Sequence, residues 1–268
     1  LGSTLGGSCR NLASHIGMAL RCSPFRARSA AECCVLSCML LLAARGARVW
    51  AGAARLSGDC PSDSSEGPEY DDPSFWDAHY LREPEPFDWL QDYDSLRGLI
   101  ANATRGNLAA RVLHIGCGNS LLPELMYDDG YRDIVNIDTS AVVIEQMAAR
   151  NQQRPGMVWL VRDATHTNFG RAEFDVVIDK SMLDTFECMA NSSRVIIGYI
   201  REIARVLKPG GAYMSINFDD PSGVERILTR LLMPAEYFTS RLADAVNSEM
   251  PPNYVFVLRT KPWSAYGQ

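Results

Sequence analysis

Val112-Leu113-His114-Ile115-Gly116-Cys117-Gly118-Asn119-Ser120 decides how this chain folds. Four apolar or bulky residues run into a Gly-x-Gly turn, the signature of a buried strand that turns sharply into a helix. Glycine takes the bend without steric cost and lets the backbone approach a ligand with no Cβ in the way. The helix that follows offers unpaired N–H groups at its start. In dinucleotide enzymes a third glycine completes G-x-G-x-x-G. Here Leu121 stands at that position, which weakens the dinucleotide reading.

Working outward, strand and helix patterns alternate. Arg111–Ile115 reads as a strand, Leu121–Asp128 as a helix and Ile134–Asp138 as a strand. Ala141–Arg150 reads as a helix with Ser140 as its N-cap. Met157–Val161 and Phe174–Asp179 are strands, Val195–Leu207 is a long helix and Ala212–Phe218 a fifth strand. Val206-Leu207-Lys208-Pro209-Gly210-Gly211 reads as a helix end stopped by glycine. A βαβα series of this kind demands a parallel sheet covered on both faces. Tyr237–Val246 and Tyr254–Thr260 then lie too close together for a crossover helix, so they must be antiparallel neighbours. Upstream, residues 90–104 place Leu90, Tyr93, Leu96, Leu99 and Ile100 on one helical face.

Candidate ligand-binding groups fall where these strands end. Asp138, about 20 residues past the turn, is placed to accept both ribose hydroxyls of an adenosine-type cofactor, or else to cap the next helix. Asp163-Ala164 follows the third strand; a carboxylate there either accepts from an adenine amino group or shapes a turn. Asp179 and Lys180 close the fourth strand, with Leu183-Asp184 just beyond, at the edge where open α/β sheets bind ligands.

Composition sets the wider limits. Residues 1–60 carry seven Arg, no Lys and two acids, whereas the whole 268-residue chain is −6, so the body is strongly acidic. That balance argues against a nucleic-acid binder, which needs a basic stripe. It suits a basic protein partner or a small substrate. No apolar run is long enough to span a bilayer. Six of eight cysteines fall in the first 60 residues, leaving Cys117 and Cys188 in the body, which reads as a reduced-compartment domain. No CxxC pair or His/Cys cluster suggests a structural metal.

Residues 1–67 read as an N-terminal extension and linker, and 68–268 as the catalytic domain. The extension is rich in Ala, Arg, Ser and Gly, like an organelle transit peptide. Cys33–Ala44 reads equally as the apolar core of a signal peptide. A wrongly extended reading frame, with Met18 or Met39 as the true start, is a third reading. The compartment follows from this choice: mitochondrial or another organelle for a transit peptide, cytoplasmic for a frame artefact.

From about Ser74 to Trp263 the chain resembles the methyltransferase-like lysine methyltransferases of eukaryotes. These include the elongation factor 1-alpha and the mitochondrial citrate synthase lysine methyltransferases. The resemblance is carried by Phe75-Trp76-Asp77, Pro86-Phe87-Asp88-Trp89, Ile115 to Ser120, Gly130 to Asp138, Asp179-Lys180 with Leu183-Asp184, and the Tyr254–Thr260 strand. It implies a class I S-adenosylmethionine-dependent methyltransferase: an α/β, Rossmann-like fold with a seven-stranded, mostly parallel sheet and a C-terminal antiparallel hairpin. It implies that Trp76, Tyr80 and Trp89 cover the cofactor, although aromatic residues more often pack in a core. It places Gly116 at the amino-acid part of S-adenosylmethionine, counts Cys117 and Gly118 among the cofactor contacts, and places Asp138 and Thr139 at the ribose. Asp163 and Ala164 belong at the adenine and Lys180 near the carboxylate. Asp179 and Asp184 are the candidate catalytic groups, orienting the incoming amine. The implied partner is a protein substrate, such as a basic translation elongation factor. Two departures stand out: His114 where many class I enzymes carry an acid, and Ser181-Met182 where the family shows Gly-Thr. The second bears on substrate identity.

Two other functions fit the same motifs. A small-molecule methyltransferase would carry a broad lid in the insert Asp219–Glu236, whereas a protein methyltransferase would leave the rim open. A non-catalytic cofactor-binding module would tolerate decay of the site, against which the intact Gly116, Gly118, Asp138 and Asp163 speak.

Overall fold

The computed structural model describes residues 70–189, 191–218, 235–243 and 252–261, all within the compact unit Gly52–Gln268. The expectations for residues 1–67, for the insert up to residue 234 and for residues 244–246 lie outside the described residues.

Thirteen elements follow one another among these residues: α1 (Pro73–Arg82), α2 (Tyr93–Ala103), β1 (Arg111–Ile115), α3 (Leu122–Asp128), β2 (Asp133–Asp138), α4 (Ala141–Arg150), β3 (Met157–Val161), β4 (Phe174–Lys180), α5 (Met182–Glu187), α6 (Ser192–Val206), β5 (Leu207–Asn217), β6 (Ala235–Ala243) and β7 (Asn253–Thr260). The seven strands form one sheet in the order β3-β2-β1-β4-β5-β7-β6. The first five are parallel, and β7 runs antiparallel between β5 and β6. The late antiparallel pair is the hairpin that the short connection requires.

This order creates the site. The chain moves outward from β1 to β2 and β3, then returns to lay β4 on the other side of β1. The loops after β1 and β4 therefore diverge, leaving a crevice at the carboxyl edge of the sheet. The central strands are buried on both faces, so Val112, Leu113 and Ile115 of β1 and Val176, Val177 and Ile178 of β4 are apolar whichever face they take. One face packs on α6 through Tyr199, Ile200, Ile203 and Val206.

Local chemistry sets the helix starts. Asp72 caps α1 by accepting from the Ser74 N–H at 2.8 Å, with Pro73 in the first turn. Asp92 does the same for α2 through Ser95. Ser140 caps α4, accepting from the Val143 N–H at 3.2 Å.

Two features differ from the sequence reading. Helix α6 does not end on glycine: its cap, Leu207, is already extended and is the first residue of β5, drawn into register with Phe174. Gly210 (φ +81) and Gly211 serve the irregular start of that strand instead. A Cβ on Gly211 would lie 2.7 Å from the Lys208 carbonyl oxygen and 2.9 Å from that of Asp175. Short helix α5 follows β4 at once, where no helix is expected. Cys117 is free and buried.

Candidate active site

The crevice at the switch point opens into a cavity of about 630 Å³, within the range of roughly 300–1,000 Å³ that ligand pockets occupy. All eleven predicted cofactor contacts line it. Gly116, Cys117 and Gly118 form one wall, Asp138 and Thr139 the next, then Asp163 and Ala164. Lys180 stands at the tip of β4, and Trp76, Tyr80 and Trp89 close the cavity from the N-terminal segment.

The turn after β1 is built as its glycines predict. Gly116 and Gly118 both take positive φ, +59 and +48. A Cβ on Gly118 would lie 2.7 Å from the Tyr80 hydroxyl, and one on Gly116 would overlap the Met182 sulfur. The turn is pinned to β2: Cys117 N–H donates to the Ile137 carbonyl at 3.0 Å and Gly118 N–H to Asp138 Oδ2 at 2.9 Å. Asp138 Oδ1 accepts from the Ser140 N–H at 3.0 Å. Burial pushes the Asp138 pKa up, against the pull of the Ser140, Gly118 and Thr139 amides. Asp138 thus joins the glycine turn to the start of α4 while facing the cavity; Ser140, not Asp138, is the helix cap.

Asp163 is exposed at the rim. Its Oδ1 accepts from the Thr165 N–H at 2.7 Å and the Thr165 hydroxyl at 2.8 Å, the turn geometry of the plainer reading. The same residue also lines the cavity.

The aromatic side is ordered by α1. Trp76 stacks on Tyr80 with centroids 6.3 Å apart, and tilts against Tyr70 at 5.8 Å. Trp76 Nε1–H donates to the Tyr70 carbonyl at 3.1 Å. Asp77 holds the helix to the site, accepting from the Ser140 hydroxyl at 2.6 Å and the Val142 N–H at 3.1 Å. Phe87 meets Trp89 edge-on at 5.2 Å.

Asp179 and Asp184 are not where the sequence reading puts them. Neither lines the cavity. Asp179 is fully buried against α6, accepting from the hydroxyls of Tyr199 (2.6 Å), Tyr213 (2.5 Å) and Ser215 (2.9 Å). Desolvation raises its pKa to about 6 despite those donors. Asp184 is buried and accepts from the Phe218 N–H at 3.0 Å, tying α5 to the end of β5. Alternation along β4 explains this: successive side chains leave opposite faces, so Asp179 and Lys180 cannot both turn toward one crevice.

Lys180 does face the cavity, but its ammonium is engaged. It donates to Asp88 Oδ1, to the Gln91 carbonyl at 3.1 Å and to the Ser120 hydroxyl at 3.1 Å. Burial lowers its pKa while Asp88 raises it. His114, beneath this cluster, is buried with its pKa lowered to about 3, so it is a neutral imidazole and not an acid substitute. Phe87 and Met182, from segments that the resemblance singled out, also line the cavity, as do Tyr70 and Arg162, which had no sequence signal of their own. Ser181, at the family's glycine position, keeps the left-handed backbone (φ +62) that glycine adopts easily.

The residues fit an adenosyl sulfonium. Carboxylates suit ribose hydroxyls and an exocyclic amine, and aromatic faces suit both a purine and a cation. Among the described residues no group of three His, Cys, Asp or Glu is placed to hold a metal, and no helix is long and apolar enough to cross a membrane.

Comparison with known proteins agrees with the geometry. Residues 113–215 match the family model described as a methyltransferase domain. The cattle (Bos taurus) eEF1A lysine and N-terminal methyltransferase is 38% identical over 153 residues, which is 56% of this chain and 22% of that protein. The chain thus matches only about a fifth of the length of this relative. Among solved structures, the [4+2]-cyclase SpnF superposes with a TM-score of 0.58 at 15% identity, covering 73% of this chain and 98% of its own. Phosphoethanolamine N-methyltransferase 2 of Haemonchus contortus, in complex with phosphomonomethylethanolamine and S-adenosylhomocysteine, gives 0.55 at 12% identity, covering 71% and 57%. These likenesses establish the class I methyltransferase fold. A cyclase among them shows that the fold alone does not fix the reaction.

Proposed function

We propose that this protein is an S-adenosylmethionine-dependent methyltransferase that methylates a lysine of a protein substrate. One observation carries the reading: the glycine turn, Asp138, Asp163 and the Trp76–Tyr80 wall all face a single cavity at the switch point. The 38% identity to an eEF1A methyltransferase supports a protein lysine as acceptor, and the acidic body suits a basic client such as an elongation factor.

In this reading Gly116, Cys117 and Gly118 face the amino-acid part of the cofactor, Asp138 and Thr139 the ribose, and Asp163 and Ala164 the adenine. Trp76, Tyr80 and Trp89 cover it and exclude water. When bound, S-adenosylmethionine supplies an activated methyl whose leaving group is a neutral thioether. A substrate amine that has shed its proton to solvent before entering the cavity would take that methyl, and the cofactor would leave as the thioether. The chain contributes alignment and desolvation: withdrawal of the amine from water into the cavity disfavours its charged form, so more of it is nucleophilic. Asp179, buried against α6, and Asp184, tied to the end of β5, lie off the cavity and have no part in this step.

The test is incubation of the full chain with radiolabelled cofactor and a whole-cell protein extract. A discrete labelled protein band, with the label mapped to lysine by mass spectrometry, is the expected result. Label confined to metabolites would favour a small-molecule acceptor, and no label with intact cofactor binding a non-catalytic module.

A further inference from the structure

Segment 83–92 connects α1 to α2 and is held across the carboxyl edge of the sheet from three elements. Asn119, in the glycine turn, donates through Nδ2 to the carbonyls of Glu83 (3.3 Å) and Glu85 (2.5 Å), and its own carbonyl accepts from the Phe87 N–H at 3.4 Å. Ser120 donates to Asp88 Oδ1. Gln91 Nε2 donates to Asn253 Oδ1 at 3.3 Å, at the start of β7. From the tip of β4, Lys180 reaches Asp88 and the Gln91 carbonyl while also touching Ser120. Its side chain is 3% exposed. Between those two anchors the segment presents Phe87 and Trp89 to the cavity, with Leu90 in a left-handed conformation (φ +61) that turns the chain back into α2.

An ammonium has three N–H donors. In Lys180 all three meet neighbours, so none is left for an incoming carboxylate unless Asp88 is displaced. We propose that Lys180 is a positioning residue, which draws Asp88 and Gln91 onto the glycine turn and so holds Phe87 and Trp89 against the bound cofactor, and is not itself a ligand of the cofactor carboxylate. This rests on the cofactor reading of the cavity and replaces the direct contact that the family resemblance implies for Lys180.

The experiment compares the full-length wild type with Lys180→Met, Asp88→Ala and the double variant. Each is measured by calorimetry with S-adenosylhomocysteine and by amide hydrogen exchange over residues 83–91, with α4 as the internal control for folding. Acting through Asp88, each single variant weakens binding about tenfold and speeds exchange in 83–91 while leaving α4 protected. The double variant then binds no worse than the weaker single, because both remove the same link. Two results would overturn the proposal: weaker binding in Lys180→Met with exchange in 83–91 unchanged, or losses that multiply in the double variant. If Lys180→Met does not fold, Asp88→Ala alone decides, since unchanged exchange and binding there contradict the link. Failure of the wild type to bind defeats the cofactor reading together with this one; binding by the wild type with unlinked variants defeats this one alone.

Discussion

Asp179→Asn separates a structural role for this carboxylate from a catalytic one. Asp179 has a pKa of about 6 in the fold against an ordinary 3.8. The folded state therefore holds a proton that the unfolded chain has already released. Because the folded value is the higher one, the stabilisation from this group is complete below 3.8 and is lost as pH rises to about 6. A gap of about two pH units corresponds to about 3 kcal/mol. Asparagine is isosteric and neutral. With its oxygen toward Tyr199 and Tyr213, its amide faces the Ser215 hydroxyl, which turns from donor to acceptor, so these three hydrogen bonds survive, while the Met182 N–H loses a charged acceptor. The assay is urea unfolding of wild type and Asp179→Asn from pH 4 to pH 7.5. The variant is expected to gain on the wild type by about 2.5 kcal/mol across that window, with other titrations cancelling in the difference. A difference that stays flat would refute the reasoning. Methyl transfer by the variant is expected to stay within about threefold of wild type, as suits a residue off the cavity; loss of turnover in a stable fold would restore a catalytic role.

Two further substitutions probe the loops of the site. Ser181→Gly relieves a left-handed serine whose buried hydroxyl makes no hydrogen bond; thermal unfolding should show a gain of about 0.5–1 kcal/mol after the added entropy of the unfolded chain is counted, and a loss would contradict the strain. Gly118→Ala adds a Cβ at φ +48 within 2.7 Å of the Tyr80 hydroxyl, so it should cost about 1–2 kcal/mol of stability and displace Tyr80, with weaker cofactor binding by calorimetry; unchanged affinity would remove the close approach from the account.

Much of the fold is legible in the sequence because its periodicities are clean. β1, β3 and α4 begin and end at the residues that the apolar pattern indicates, and Ser140 caps α4 as its hydroxyl permits. The glycine turn and the three carboxyl ends of β2, β3 and β4 suffice to locate the cavity. What escaped has physical reasons. Helix α1 has no continuous apolar stripe: it buries Tyr80 but exposes Leu81, because it shelters a cavity and does not pack a core. Gly210 and Gly211 look like a helix stop, yet tertiary pairing of Leu207 with Phe174 starts the strand sooner. Asp179 and Lys180 are equally placed in sequence at a strand end, and only the packing of α6 shows which face is sealed. The Asp88–Lys180 pair spans 92 positions, a separation for which no local pattern exists.

Calorimetric titration of S-adenosylmethionine into the full chain and into Asp138→Ala tests the central claim most directly. Asp138 faces the cavity and also orders the glycine turn, so its loss strikes both halves of the cofactor grip. The account predicts one site in the wild type and at least a tenfold, roughly 1.4 kcal/mol, loss of affinity in a folded variant. No binding by the wild type, or equal binding by the two, would contradict it.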